Sequence, residues 1–215
     1  GESFGNFRLK DCVIRGRELI EWHESKKEME ASKKAGGRYL IGLGMACGSH
    51  GTSMFPFMPD VTGITLKMNE DGTVVFTTGT SDMGNGSVTT QCMLISEVLG
   101  IPLDHITYIK TDTDAAMSDL GAYASRGTYT SGHAAVKTAE IMKEKIAVLA
   151  AELLETNTGN LDFHDDAVWC MDIHKKHVTM AEIAAHAREK HQEDISCSYM
   201  FHSEAGPMSS GAHFA

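Results

Sequence analysis

The stretch Gly79-Thr80-Ser81-Asp82-Met83-Gly84-Asn85-Gly86 constrains this chain more than any other. It lies between an apolar run, Val74-Val75-Phe76, and a helical pattern that opens at Ser87. A glycine-rich turn from strand to helix leaves backbone N–H groups without helical partners. The partial positive charge of the helix start then favours an anion there. Gly84 and Gly86 carry no Cβ, so they can take positive φ and let a ligand approach the main chain closely. Hairpin ends and bulges use the same residues, so the spacing alone leaves a phosphate site and a tight turn both open.

The flanking periodicities predict the surrounding elements. Ile64, Leu66 and Met68 alternate with Thr65, Lys67 and Asn69, as in a half-buried strand, and Asn69-Glu70-Asp71-Gly72 turns the chain into Val74–Thr78. Val88, Cys92, Ile95 and Leu99 fall on one helical face, which Gly100 and Pro102 terminate. His105–Lys110 reads as the next strand. The longest helix is predicted over residues 132–155, with Ala135, Ala139, Met142, Ile146, Leu149 and Leu153 as its apolar stripe. Ala167–Met171 and Lys176–Val178 suggest a hairpin, and Thr179-Met180-Ala181-Glu182 a capping box opening a helix to about Lys190. Ile195–His202 is read as a strand, with a further one starting near Gly211. Tyr39–Cys47 reads as a glycine-interrupted buried strand. Residues 1–37 form a charged, helix-prone linker, and 38–215 a domain of the α+β class, a mixed sheet with helices on one face.

A second segment gives the glycine loop its meaning. Asp112-Thr113-Asp114 is followed by Gly121-Ala122-Tyr123-Ala124-Ser125-Arg126-Gly127-Thr128 and then by the long helix. Strand, glycine turn, helix, "LGIP", strand, "DTD", "ASRGT" and "SGHAAV", in that order, resemble the large, molybdenum-cofactor-binding subunit of the xanthine dehydrogenase family. The likeness to these molybdenum hydroxylases is strongest from about Val61 to Ala139. It implies one part of a two-lobed cofactor-binding domain, with the partner lobe lying beyond Ala215. The family's Met-Gly-Gln-Gly turn falls on Met83, Gly84, Asn85 and Gly86, with Asn85 shortening the usual Gln by one methylene. Its later cofactor contacts fall on Ala124, Ser125 and Thr128. Arg126 either adds charge toward a phosphate or braces the loop through an Asp.

The resemblance further implies a molybdenum–molybdopterin cofactor, with or without a cytosine dinucleotide, and iron–sulfur clusters and FAD on other domains or subunits. It implies an N-heterocycle or aldehyde as the small-molecule substrate. The catalytic Glu of the family's late Gly-Glu motif has no counterpart here. The chain therefore reads as an excised piece, inactive alone, with neither a catalytic residue nor a metal ligand of its own. A cofactor-free binding or assembly module on the same fold is the alternative.

Bulk properties narrow the rest. A formal net charge of −10, with no dense Lys/Arg stripe, speaks against nucleic acid. Five scattered cysteines, with no CxxC pair, support neither a zinc site nor a disulfide framework, which fits a cytoplasmic setting. No apolar run approaches membrane-spanning length. His174 and His177 form an H-x-x-H pair without a fuller ligand set. Asp112, Asp114 and Asp119 lack the Gly and Glu of a calcium loop. Ser125 and His133 lack a nucleophile elbow.

Overall fold

The computed structural model describes residues 8–109, 112–173 and 176–215. Helices α1 (Leu9–Leu19) and α2 (Trp22–Ala35) come first, then strands β1 (Met45–Gly51), β2 (Val61–Met68) and β3 (Val74–Thr78). Helix α3 (Ser87–Leu99), strand β4 (Ile106–Ile109) and helix α4 (Gly132–Leu154) follow. The chain continues through β5 (Leu161–His164), β6 (Ala167–Cys170), β7 (His177–Thr179), α5 (Met180–His186), β8 (Ser196–His202) and β9 (Met208–Phe214). Two compact units result, one from residues 1–52 with 205–215 and one from 53–204.

In the first unit, β1 and β9 form an antiparallel ribbon in which Met45 opposes Phe214 and Gly51 opposes Met208. The Phe214 ring lies where a side chain on Gly16 of α1 would be, and it meets Trp22 edge-on at 6.0 Å. Glycine at position 16 therefore lets α1 approach the ribbon. The buried strand expected over Tyr39–Cys47 is corrected here. The strand begins only at Met45, and Tyr39, Leu40 and Ile41 are 79%, 67% and 50% exposed. A run broken by Gly42 and Gly44 finds no sheet to enter, because β1 pairs with β9 alone.

The second unit holds a four-stranded sheet in the order β4-β3-β2-β8 and a three-stranded sheet β5-β6-β7. β2 and β3 pair antiparallel with Leu66 opposite Phe76, as the alternation requires. β4 lies parallel to β3, because the glycine loop and α3 form the crossover between them. Helices α3 and α4 pack together, and α4 also covers β2 and β8. Their shared core joins Ile64, Leu66 and Phe76 of the sheet to Ile95 and Leu99 of α3 and to Ala139, Met142 and Ile146 of α4, each 0% exposed.

The capping box opening α5 is formed. Thr179 Oγ1 accepts from the Glu182 N–H at 3.2 Å, and a Glu182 carboxylate oxygen accepts from the Thr179 N–H at 2.8 Å. β5 was not foreseen, and it extends the expected hairpin into a three-stranded sheet. Of the H-x-x-H pair, His174 lies outside the described residues, while His177 stacks on Trp169 at 4.2 Å.

Gly100 ends α3 at φ +68°, and a Cβ there would fall on the backbone of Phe163. Left-handed backbone and steric conflict act in the same direction. Gly100→Ala is therefore expected to destabilise the unit by at least ~1 kcal/mol, seen as a lower urea midpoint with an unchanged slope.

Candidate functional site

Asp82 organises the glycine loop. Its Oδ1 accepts from the N–H groups of Gly84 at 2.8 Å and Gly86 at 3.3 Å, and its Oδ2 accepts from Val88 at 3.4 Å. These bonds, that of Gly84 foremost, hold the Asp82 carboxyl below the usual carboxylate range. Gly84 and Gly86 take φ +89° and +70°, which the closed loop requires. Two of the donors expected to face an outside anion are thus turned onto the chain's own carboxylate. Asn85 Oδ1 accepts from the Ser87 N–H at 3.3 Å. Met83, Gly84 and Asn85 are exposed, and nothing lies within 4 Å of a Cβ built on Gly84 or Gly86.

Arg126 supports the second segment. Its side chain is 0% exposed and all of its donor nitrogens are engaged. Nε donates to Asp60 Oδ1 at 2.7 Å. Nη1 donates to Asp119 Oδ1 at 3.0 Å and to the Gly121 carbonyl at 2.7 Å. Nη2 donates to the Val61 carbonyl at 2.7 Å and to Thr62 Oγ1 at 2.8 Å. The choice left open by the sequence is settled: Arg126 is a brace. Just before it, Ala124 and Ser125 stand at φ +47° and +48°, a left-handed pair without glycine. Such a conformation costs roughly 1–2 kcal/mol per residue and persists only where its surroundings over-determine it.

The two segments grow from one base. Asp119 Oδ2 accepts from Thr62 Oγ1 at 2.6 Å and from Thr80 Oγ1 at 3.2 Å. Thr80 Oγ1 also lies 2.8 Å from Ser131 Oγ. A side chain on Gly79 would stand 2.6 Å from the Met117 carbonyl, so glycine is needed for this approach. The root of the glycine loop is thereby bonded to the turn that opens α4. Ser125 and Thr128 are exposed on that turn, and Ala124 is half-buried. A Cβ on Gly127 would meet nothing within 4 Å, although its backbone is not left-handed.

Ser87 and Gln91 were missed by periodicity. They are 5% and 1% exposed, yet Ser87 Oγ and both amide atoms of Gln91 lack a hydrogen-bond partner. Buried polar groups are normally satisfied, so such orphans mark a place where water or a ligand completes the structure. Both lie on the first turn and a half of α3, one helical step apart, directly after the glycine loop. The available signal was a Gln four residues before Ile95 on an otherwise apolar stripe. Open space beside Gly84, Gly86 and Gly127 leaves the main chain of both segments accessible, and the orphans lie on the helix that follows the first.

The remaining sequence candidates resolve as ordinary structure. Asp112 accepts from the Asp114 N–H at 2.9 Å, a local turn. His133 Nδ1 bonds the Tyr129 carbonyl at 2.6 Å and its ring stacks on Phe201.

Comparison with known proteins gives this geometry its class. The family model of the molybdopterin cofactor-binding domain matches residues 15–215, and the chain belongs to that family. It is 32% identical over 162 residues to the putative xanthine dehydrogenase molybdenum-binding subunit of Escherichia coli K12, covering 75% of this chain and 21% of that protein. It is also 32% identical over 197 residues to the carbon monoxide dehydrogenase large chain of Afipia carboxidovorans, covering 84% and 23%. The chain thus spans about a fifth of the length of these relatives. Reconstituted CO dehydrogenase from Oligotropha carboxidovorans shares the fold at TM-score 0.73 and 24% identity, over 96% of this chain and 28% of that one. Quinoline 2-oxidoreductase from Pseudomonas putida 86 does so at 0.72 and 20%, over 97% and 28%.

Two outcomes follow from the Arg126 network. Arg126→Met strands Asp60 and Asp119 in the interior and is expected to cost ~3–5 kcal/mol, measured by denaturant unfolding. The second concerns acid. Burial pushes the Asp60 carboxyl up, but the Ser53 hydroxyl, the Met54 N–H and Arg126 outweigh it and hold it below its ordinary 3.8. A folded-state value below the unfolded one stabilises fully above the latter, and that stability is lost as pH falls through the folded value. Asp60→Asn is therefore expected to flatten the fall in stability below about pH 4, read from urea midpoints at successive pH values.

Proposed function

We propose that this chain supplies part of the molybdenum–molybdopterin site of a molybdenum hydroxylase related to xanthine dehydrogenase and aldehyde oxidase. The supporting observation is the pairing of two segments that reach the surface, Met83–Gly86 at Met83 to Asn85 and Ala124–Thr128 at Ser125 and Thr128, on one bonded base, with the unsatisfied Ser87 and Gln91 on the helix that follows the first. With Asp82 kept in place, the Asn85 amide and the open main-chain surfaces of Met83, Gly84 and Gly86 would hold one side of the cofactor. Ala124, Ser125 and Thr128 would hold the other. Asp82 preforms the first segment and Arg126 the second, so neither needs to be ordered when the cofactor arrives.

When bound, the cofactor supplies two-electron chemistry at molybdenum, for hydroxylating a carbon of an N-heterocycle or aldehyde with oxygen from water. The chain's own residues bind and orient it, and none of them is assigned a catalytic role or a bond to molybdenum. A cytosine dinucleotide on the pterin, iron–sulfur clusters and FAD on other domains or subunits, and a cytoplasmic setting belong to the same reading. On it, residues 1–37 act as a charged linker and 38–215 as the partial cofactor-binding domain. The exposed run Tyr39–Ile41 and the isolated ribbon β1–β9 are surfaces that the remaining lobe would cover, since a two-stranded sheet is marginal alone. This segment by itself would not turn over.

Gly127 offers a clean test, because its backbone tolerates a side chain and the space beside it is open. In the full-length protein, Gly127→Val is expected to leave the unfolding midpoint of the cofactor-free form unchanged, and the cofactor comparison is made on protein from a molybdopterin-competent host. Molybdenum and pterin content should fall on the order of tenfold, equivalent to about 1.4 kcal/mol of binding. A wild-type full-length protein without molybdenum by elemental analysis would overturn the reading in favour of a cofactor-free module.

A further inference from the structure

Helix α5 does not stop as an α-helix. It passes into a π-helical turn, Ala187–His191, and such turns recur at functional sites. Residues five apart on an α-helix point about 140° away from each other, whereas the wider turn brings His186 and His191 to one side. Their rings meet edge-on with centroids 5.5 Å apart. Both Nε2 atoms reach a single oxygen, Glu152 Oε2, at 3.1 and 3.0 Å. Glu152 belongs to the last turn of α4, and Lys190 Nζ completes the group at 2.9 Å from the same oxygen. The donor atoms of Glu152, His186 and His191 all lie within 4.8 Å of one another. By helical rise, Glu152 is about 30 Å along α4 from the Ser131 end, where the cofactor segments meet.

We infer that Glu152, His186 and His191 form a binding site for a divalent transition metal ion, with Zn2+ as its occupant. Two imidazoles and a carboxylate suit zinc, and bonds of 2.0–2.2 Å place adjacent tetrahedral ligands about 3.3 Å apart, close to the two histidine–Glu152 distances of 3.1 and 3.0 Å. The fourth position is open to water. The ligands come from the end of α4 and from the α5 turn, so the ion clamps two elements that are distant in sequence. Binding requires little rearrangement. Lys190 is 59% exposed on its side chain, and its ammonium leaves for solvent when the ion takes over the carboxylate charge. Each imidazole coordinates through Nε2, with the ring proton carried on Nδ1.

The test is a titration of the full-length protein, freed of labile divalent ions by a chelator that is then removed, with Co2+ alone, followed by visible d–d absorption and then by displacement with Zn2+. One Co2+ per chain is expected at this site. His186→Gln and His191→Gln should each weaken it at least about tenfold, as loss of even an indirect metal partner commonly does. Lys190→Ala should tighten it several-fold by removing the competing cation. No folding defect produces that gain, so this arm stands even if a histidine variant misfolds. An affinity unchanged in the double histidine variant, or one not raised in Lys190→Ala, would overturn the site and leave a simple ion-pair cluster. Molybdenum content is unaffected in either case, so this result is separable from the cofactor reading.

Discussion

A single buried cation holds the candidate site together. Arg126 lies between Asp60 and Asp119 with both carboxylates essentially dry. One positive and two negative charges leave an excess that the interior cannot tolerate unaided. It is met by neutral donors: Ser53 Oγ and the Met54 N–H on Asp60, and Thr62 Oγ1, Thr80 Oγ1 and the Gly121 N–H on Asp119. Every one of these donors belongs to a segment that must be placed for the site to exist. The charge cluster is therefore better understood as a device of registration than as a source of stability, since a well-packed apolar replacement is often no less stable.

That view accounts for the strain at Ala124 and Ser125. Two consecutive left-handed residues without glycine would relax if either neighbour were free to move. On one side the Ala124 carbonyl accepts from the Ser53 N–H at 3.0 Å. On the other, the Arg126 N–H bonds the Tyr123 carbonyl at 3.0 Å while its side chain is pinned from five directions. Asp60 links the two restraints, because it binds both Ser53 and Arg126. The turn is thus held by a closed loop of bonds. Its exposed face is left to present Ser125 and Thr128.

Much of this was legible beforehand, and the reasons for the rest are physical. Period-two alternation at Ile64–Met68 and the i, i+4 stripe of α4 encode burial within a few residues, so the sheet and its covering helix could be read directly. The partner of Arg126 could not, because Asp60 lies 66 residues away in an aperiodic loop and only the folded chain brings them together. Tyr39–Cys47 misled because apolar content signals burial only where a neighbouring surface exists. Gln91 stayed hidden because an amide on an apolar stripe resembles a helix former at a boundary until its atoms are seen to lack partners.

The glycine loop carries the most instructive departure. Spacing led to main-chain donors awaiting an anion, and the folded loop already contains one, the Asp82 carboxylate. An internal carboxylate at a helix start satisfies the orphan N–H groups and favours the helix dipole, as a phosphate would. A cofactor can therefore not use the Gly84 and Gly86 donors without displacing Asp82. Contacts that leave Asp82 in place must come from the Asn85 amide, from main-chain surfaces left open by the absent glycine side chains, and from the turn at Ala124–Thr128. Rigidity and recognition are then divided between residues of one loop: Asp82 maintains its shape, while its neighbours remain available to whatever binds above them.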